Sequence, residues 1–207
     1  MREKPQSTDR LIIMTKYPEP GQTKTRLIPA LGSQGAADLH RQFGLNTVAV
    51  GYEFDPEIRY AGGNTALMRD WLGDFQFVPQ GDGDLGDRMS RAFADGFAQD
   101  LNAKELMGGC DRIVMIGTDC PGIDAALIKT AFAMLFTTDL VLGPATDGGY
   151  YLIGMRSFYP QLFKNIVWST ETVLSETLTI ANQHQISYEL LPMLSDIDRP
   201  EDLALLL

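Results

Sequence analysis

Four stretches of the 207-residue chain carry side chains that could hold a nucleotide and a cation. The first, Lys16 to Leu27, reads KYPEPGQTKTRL. Pro18, Pro20 and Gly21 turn the backbone sharply and let it approach a ligand, while Lys16, Lys24 and Arg26 offer donors and positive charge to phosphate oxygens. It is not a Walker A loop, because Pro18 and Thr23 stand where that motif needs glycines. The second stretch, IGTDCPG, presents Asp119 just before Pro121. A carboxylate held there suits Mg²⁺ or Mn²⁺ that also touches phosphate. A helix cap is the plainer role, and Asp124 is better placed for it. The third is TDGGYY, Thr146 to Tyr151. It is either a simple hairpin turn or an acceptor contact in which Gly148 and Gly149 admit a ligand to the backbone. In the second case Asp147 and Tyr150 face the ligand, with Asp147 orienting the acceptor or acting as base. The fourth is DIDRPEDL, Asp196 to Leu203. Pro200, Glu201 and Asp202 suit the start of a helix. Capping needs one Asp, and the surplus makes a second metal ligand plausible. Trp168, in WST, either contacts the acceptor or packs behind it.

Such residues act together only if buried elements hold them. Leu11 to Met14 is a fully apolar run ending at the basic loop, the form of a buried parallel strand. A helix is expected over the apolar positions Ala36 to Val48, capped by Ser33 and leaving at Gly51. Strands are expected at Glu57 to Tyr60, Phe75 to Pro79, Arg112 to Gly117, Leu140 to Gly143, Tyr150 to Met155 and Ile186 to Leu191. Helices are expected at Thr65 to Leu72, Asp87 to Ala98, Ile123 to Phe136, Ser157 to Lys164, Thr170 to Gln183 and Pro200 to Leu206. Leu101 to Gly109 lacks clear periodicity. Pro121 must end the strand before it. The alternation predicts an α/β protein, a three-layer α/β/α sandwich with a mostly parallel central sheet, in which ligands bind beyond the carboxyl ends of the strands. Residues 1–10 read as a tail and 11–207 as one domain, since no linker divides them.

Composition narrows the partners. Seventeen basic against 27 acidic residues give a formal charge of −10, which argues against nucleic acid as a partner. Lys16 to Arg26 carries a net +2 and the other 196 residues −12, so one short segment opposes the rest of the molecule. Cys110 and Cys120 form no C-x-x-C pair, and only His40 and His184 could supply imidazole, so acids, bases and metal ligands should be carboxylates. No G-x-S-x-G starts a hydrolase reading. No apolar leader or membrane span is visible, so a soluble, cytoplasmic protein is expected. Oligomeric state is open.

Taken in order, PEPGQTKTRL, GDLGDRM, IGTDCPG, GPATDGGYYLIG, WST and DIDRPEDL resemble the small GT-A-fold, nucleotide-diphospho-sugar-transferase-like proteins labelled glycosyltransferases, some attached to arsenosugar biosynthesis. The chain is more distantly similar to 2-phospho-lactate and molybdenum cofactor guanylyltransferases and to sugar-acid cytidylyltransferases. The resemblance implies Lys24 and Arg26 on phosphates, Asp119 on Mg²⁺ or Mn²⁺ with Asp198 as its partner, and Gly86 and Arg88 bordering the nucleotide. Metal-dependent GT-A glycosyltransferases generally carry D-x-D, whereas Gly117, Thr118 and Asp119 offer one carboxylate, which favours nucleotidyl transfer. The near family implies sugar transfer. The expectation is therefore a metal-dependent transferase with a nucleotide-activated donor and a small-molecule acceptor, glycosyl transfer ranked first and nucleotidyl transfer second. A nucleotide sensor that has lost its chemistry is the reading from another class.

Overall fold

A computed structural model describes residues 9–103 and 111–206. The strands are Asp9–Lys16 (β1), Glu57–Ala61 (β2), Gln76–Pro79 (β3), Arg112–Ile116 (β4), Leu140–Pro144 (β5), Tyr150–Met155 (β6) and Tyr188–Leu190 (β7). They form one seven-stranded sheet in the order β3-β2-β1-β4-β6-β5-β7. Every neighbouring pair is parallel except those made by β6, which runs antiparallel between β4 and β5. β1 and β4 lie side by side at the centre, so the loops after both strands open at the same edge.

The sheet is covered on both faces, which is why its central strands are apolar without alternation. Leu11, Ile13, Val114 and Ile116 pack on one face with Val48 of α1 (Ile28–Gly51), Met68, Trp71 and Leu72 of α2 (Thr65–Leu72) and Ile128, Ala131 and Phe132 of α4 (Ala125–Met134). Ile12, Ile113, Met115, Ile153 and Met155 pack on the other with Met89, Ala92 and Phe93 of α3 (Leu85–Ala103) and Ala181 of α5 (Val173–Gln183). The helices α2, α3 and α4 start where short polar side chains meet orphan amides, whereas α1 and α5 have no side-chain cap. Asn64 accepts from Leu67 N at 3.0 Å, and Asp124 accepts from Leu127 N at 2.7 Å. Asp84 and Asp87 cap α3 reciprocally, each accepting from the other's amide at 2.9 and 3.2 Å.

A third, small core places the chain's last described segment. Ile197 is fully buried among Leu27, Ala36 and Phe43, with Leu39 and Leu203 beside them. It pins residues 195–198 against the loop after β1 and the amino-terminal half of α1. Ile197 N donates to Asp119 O at 2.9 Å and Cys120 Sγ to Ser195 O at 3.3 Å, so this segment also runs along the end of β4.

The boundaries differ from the sequence expectation where prolines and left-handed residues intervene. β1 begins at Asp9, two residues inside the expected tail. α1 starts at Ile28 and is broken at Gly32, whose φ of 71° interrupts the helix before the expected Ser33 start. The helix expected over Ser157 to Lys164 is only a 3-10 turn, Pro160–Phe163. Pro160 forces Tyr159 out of the helical region, and the extended Lys164, followed by left-handed Asn165 at φ 59°, ends the turn. α5 begins at Val173 rather than Thr170, the last strand shrinks to Tyr188–Leu190, and Pro200–Leu206 is a 3-10 helix. Of the stretch Leu101 to Gly109, residues 101–103 extend α3 and the rest lies outside the described residues. Among the described residues no helix is long and apolar enough to cross a membrane.

Candidate active site

The loops at the carboxyl ends of β1 and β4, the β5–β6 turn, the start of α3, the 168–170 loop and the 196–198 segment enclose a cleft of about 470 Å³. Lys16, Arg26, Arg88, Asp119, Asp147, Gly149, Tyr150, Trp168 and Asp198 all line it. Residues spread over more than 180 positions of sequence are thus gathered at one sheet edge, where a parallel sheet leaves its strand ends open.

The loop after β1 is braced from within. Gln22 N donates to Glu19 O at 3.1 Å, closing a turn whose third residue, Gly21, has φ 82°, a value that a side chain would strain. Gly21 is exposed and makes this turn; it does not line the cleft. Lys16 Nζ donates to Gln22 O at 2.7 Å, and Thr23 Oγ1 to Tyr17 O at 3.0 Å.

Lys24 stands elsewhere than a phosphate contact would. Its side chain is 2% exposed, with Nζ 2.8 Å from Asp119 Oδ1 and donating to Ile197 O, and it is not part of the cleft wall. Arg26 keeps its place at the cleft but is paired with Asp198. Both pairs join the basic loop to expected metal ligands. Asp202, rather than Asp198, serves the chain's turn into the last helix: its Oδ2 accepts from Asp198 N at 3.0 Å and Arg199 N at 2.6 Å, leaving the Asp198 carboxylate to the cleft.

Asp119 is 50% exposed, but unevenly. Its Oδ1 is buried, with Lys24 at ion-pair distance yet no donor aligned on it, so the open oxygen is Oδ2. His40 Nδ1 lies 3.5 Å from the same Oδ1, and His40 Nε2 is 2.9 Å from Lys16 O. Burial pushes the Asp119 carboxyl up, but the contact with His40 and the charge of Lys24 more than offset it and hold it at about 2. Asp196 behaves oppositely: burial, then the neighbouring charges of Asp147 and Asp198, push its carboxyl up.

The residues expected to contact an acceptor stand at the β5–β6 turn and across the cleft from it. The residues between β5 and β6 make the hairpin-type turn, with Gly149 N donating to Asp147 Oδ1 at 2.8 Å. Gly148, at φ 88°, admits a backbone neighbour rather than a ligand, since a Cβ there would sit 2.1 Å from Glu171 O. Tyr150 lines the cleft, but its hydroxyl is buried without a partner, so it offers the cleft its ring and not its oxygen. Gly86 is buried under Trp168, where a Cβ would come within 2.2 Å of the indole Nε1. Its role is to seat that ring, while Arg88 faces the cleft and donates from Nε to Gly83 O at 3.0 Å.

Sequence reasoning missed His40, Gln80 and the Thr15–Thr118 pair, whose hydroxyl oxygens are 3.2 Å apart at the cleft floor. Gln80 Nε2 donates at 3.0 Å to both Thr15 O and Arg59 O. A histidine on the apolar face of α1, in step with Ala36, Ala37 and Phe43, was the available signal for the first of these.

Among the described residues no three His, Cys, Asp or Glu side chains converge as a ready metal cage. The donor set still suits Mg²⁺ or Mn²⁺, which are commonly held by one or two carboxylates with water and ligand phosphates completing the shell. Asp119 Oδ2 and Asp198 supply that number.

Strand order, the antiparallel β6 and a cleft beyond the β1 and β4 ends define a nucleotide-diphospho-sugar-transferase-like fold. Residues 45–170 match the model of the family described as "Uncharacterized protein conserved in bacteria (DUF2064)", and the chain belongs to that family. It is similar, at 34% identity and TM-score 0.88 over 97% of this chain and 87% of the other, to a "putative nucleotide-diphospho-sugar transferase" from Desulfovibrio desulfuricans G20. At the level of fold alone it is also similar to a CMP:2-keto-3-deoxy-manno-octonic acid synthetase complexed with CTP, at 10% identity and TM-score 0.56 over 97% of both chains. The inositol-1-phosphate CTP transferase of T. maritima is another such neighbour, at 13% identity and TM-score 0.53 over 95% of this chain and 92% of the other. No curated protein matches the sequence at a significant level.

Proposed function

We propose that the protein is a metal-dependent transferase that takes a nucleotide-activated donor, with transfer of a sugar from a nucleotide-sugar to a small acceptor as its reaction. The observation that carries the reading is the shared cleft: the cations Lys16, Arg26 and Arg88 and the carboxylates Asp119 and Asp198 face one space at the strand ends. The similar protein from D. desulfuricans G20, described as a "putative nucleotide-diphospho-sugar transferase", supports the donor class.

Lys16 and Arg88 lie within reach of a diphosphate placed in the cleft, and Arg26 can turn between Asp198 and a phosphate oxygen because its side chain is largely exposed. Asp119 and Asp198 would hold Mg²⁺ or Mn²⁺. That ion would neutralise charge building on the leaving nucleoside diphosphate. Asp147, fixed by its bond from Gly149 N, orients the acceptor hydroxyl and receives its proton, while the faces of Tyr150 and Trp168 give the acceptor a flat apolar surface. Holding both substrates in this alignment supplies much of the rate enhancement.

The second reading is nucleotidyl transfer, in which the phosphate of a phosphorylated small molecule attacks the α-phosphorus of an NTP and pyrophosphate leaves. The lone carboxylate of Gly117-Thr118-Asp119 favours it, as do the cytidylyl-transferring enzymes that share the fold. Purified protein incubated with nucleotide-sugars or NTPs, a set of hydroxylated and phosphorylated small acceptors and Mn²⁺ separates the two. Release of free nucleoside diphosphate is expected; pyrophosphate instead would select the second reading. Metal-dependent binding without turnover of any donor would leave a sensor.

A further inference from the structure

Lys24 is expected from the sequence, together with Arg26, to contact phosphate, yet the fold withdraws it from the cleft. Its backbone is left-handed, at φ 49° and ψ 43°, a conformation that a lysine adopts only at a cost. The two residues that follow lead into fully buried Leu27, whose amide donates to Lys24 O at 2.8 Å. The Lys24 side chain is buried, and Nζ lies over the Phe43 ring, 5.8 Å from the ring centre. At its end Nζ meets Asp119 Oδ1 and Ile197 O, joining the loop after β1, the end of β4 and the 195–198 segment. His40, itself fastened to Lys16 O, closes on the same Oδ1 from the helix side. One carboxylate oxygen is therefore enclosed by protein, and the other is left to the cleft.

We propose that Lys24 is a positioning residue for Asp119 and the resident counter-charge of the cation site, so that a divalent cation meets a single oxygen of Asp119 and enters together with the nucleotide rather than before it. This rests on the cation reading above. The buried ammonium cancels most of the field that Asp119 would present to a bare cation, and the enclosed Oδ1 prevents bidentate capture. Phosphate oxygens then supply the negative charge that the protein alone withholds. The same buried position keeps Lys24 from contributing to phosphate binding.

The test compares bare Mn²⁺ binding, read by electron paramagnetic resonance of the free ion, with binding of UDP and CTP in the presence of chelator. It uses wild type, Lys24→Met and Lys24→Gln. Met keeps the apolar stem, and Gln retains a donor for Ile197 O should the first variant fold poorly; thermal melting reports folding for both. Removing the ammonium is expected to tighten bare Mn²⁺ binding at least fivefold while chelated nucleotide binding stays within twofold. Unchanged or weaker Mn²⁺ binding in a folded variant would overturn the proposal. So would a tenfold loss of metal-free nucleotide affinity, which would make Lys24 a phosphate ligand. If wild type takes up no Mn²⁺ even with nucleotide present, the cation reading itself fails, and that outcome is distinct from either of the others.

Discussion

Gly86→Ala offers a sharp test of how the cleft is built. Gly86 is the second residue of α3 and has no positive φ, so backbone strain plays no part in the substitution. Helix propensity favours Ala by up to ~1 kcal/mol, less near a helix end. The opposing effect is steric: the new Cβ would lie 2.2, 2.4 and 2.6 Å from three atoms of the Trp168 indole, against the 3.4 Å or more of ordinary contact. The ring must move by about 1 Å or more, and it is held by stacking on Phe163 with ring centres 6.5 Å apart. Overpacking of this kind costs ~1–3 kcal/mol, so a net loss of about 1–2 kcal/mol is expected. In a Trp168→Ala background the clash disappears, and Gly86→Ala should become neutral or stabilising. Urea unfolding of the four proteins in the cycle gives the coupling energy, and the Trp fluorescence of Gly86→Ala reports displacement of the ring. A Gly86→Ala cost that is the same with and without Trp168 would refute the assignment of Gly86 as the seat of that ring.

Three further outcomes follow from the same geometry. Gly148→Ala combines φ 88° with a Cβ placed 2.1 Å from a backbone oxygen that cannot swing aside, so denaturant unfolding should show a loss of about 3 kcal/mol; a loss under 1 kcal/mol would mean that the turn opens freely. Ile197→Ala empties a fully buried site and should cost ~2–5 kcal/mol, and in the folded variant nucleotide binding by calorimetry should weaken because Asp196 and Asp198 lose their anchor. Unaltered binding would detach that segment from the cleft. The Asp119 carboxyl, held at about 2 below its ordinary 3.8, stabilises the folded state above pH 4 and loses that contribution as pH falls towards 2. For a half-exposed group the full linkage value is discounted to about 1 kcal/mol. Asp119→Asn should therefore be less stable than wild type at pH 7 by that much or more, with the gap narrowing between pH 4 and pH 3; a gap independent of pH would contradict the Lys24–Asp119 pairing.

Much of the scaffold was legible because burial writes a short-range pattern. The continuous apolar runs of β1 and β4, the helical spacing of Met68, Trp71 and Leu72, and the Asp124 cap each need only a few neighbouring residues to be recognised. The elements that were overdrawn, such as the helix expected over Ser157 to Lys164, contain an apolar rhythm that Pro160 overrules locally. Within the cleft, residue spacing pointed to Lys16, Arg26, Asp119 and Asp147, because charged residues after apolar strands or beside glycines have few other uses there, whereas Arg88 and the choice of Asp198 came only from the resemblance to GT-A-fold proteins. It did not place His40 or Gln80 in the site, since their neighbours along the chain reveal nothing of the Lys16 and Thr15 carbonyls they meet.

The residue types alone settled the α/β alternation and the single basic segment in a chain of charge −10. Which of its charged residues face the cleft was decided only by tertiary structure. Lys24 and Arg26 are two residues apart and indistinguishable in sequence, yet one is sealed against Asp119 beneath the cleft and the other stays at its wall beside Asp198. The difference arises because buried Ile197 draws a segment more than 170 residues away across the end of β4, and the fate of a charge depends on what that segment leaves open to water.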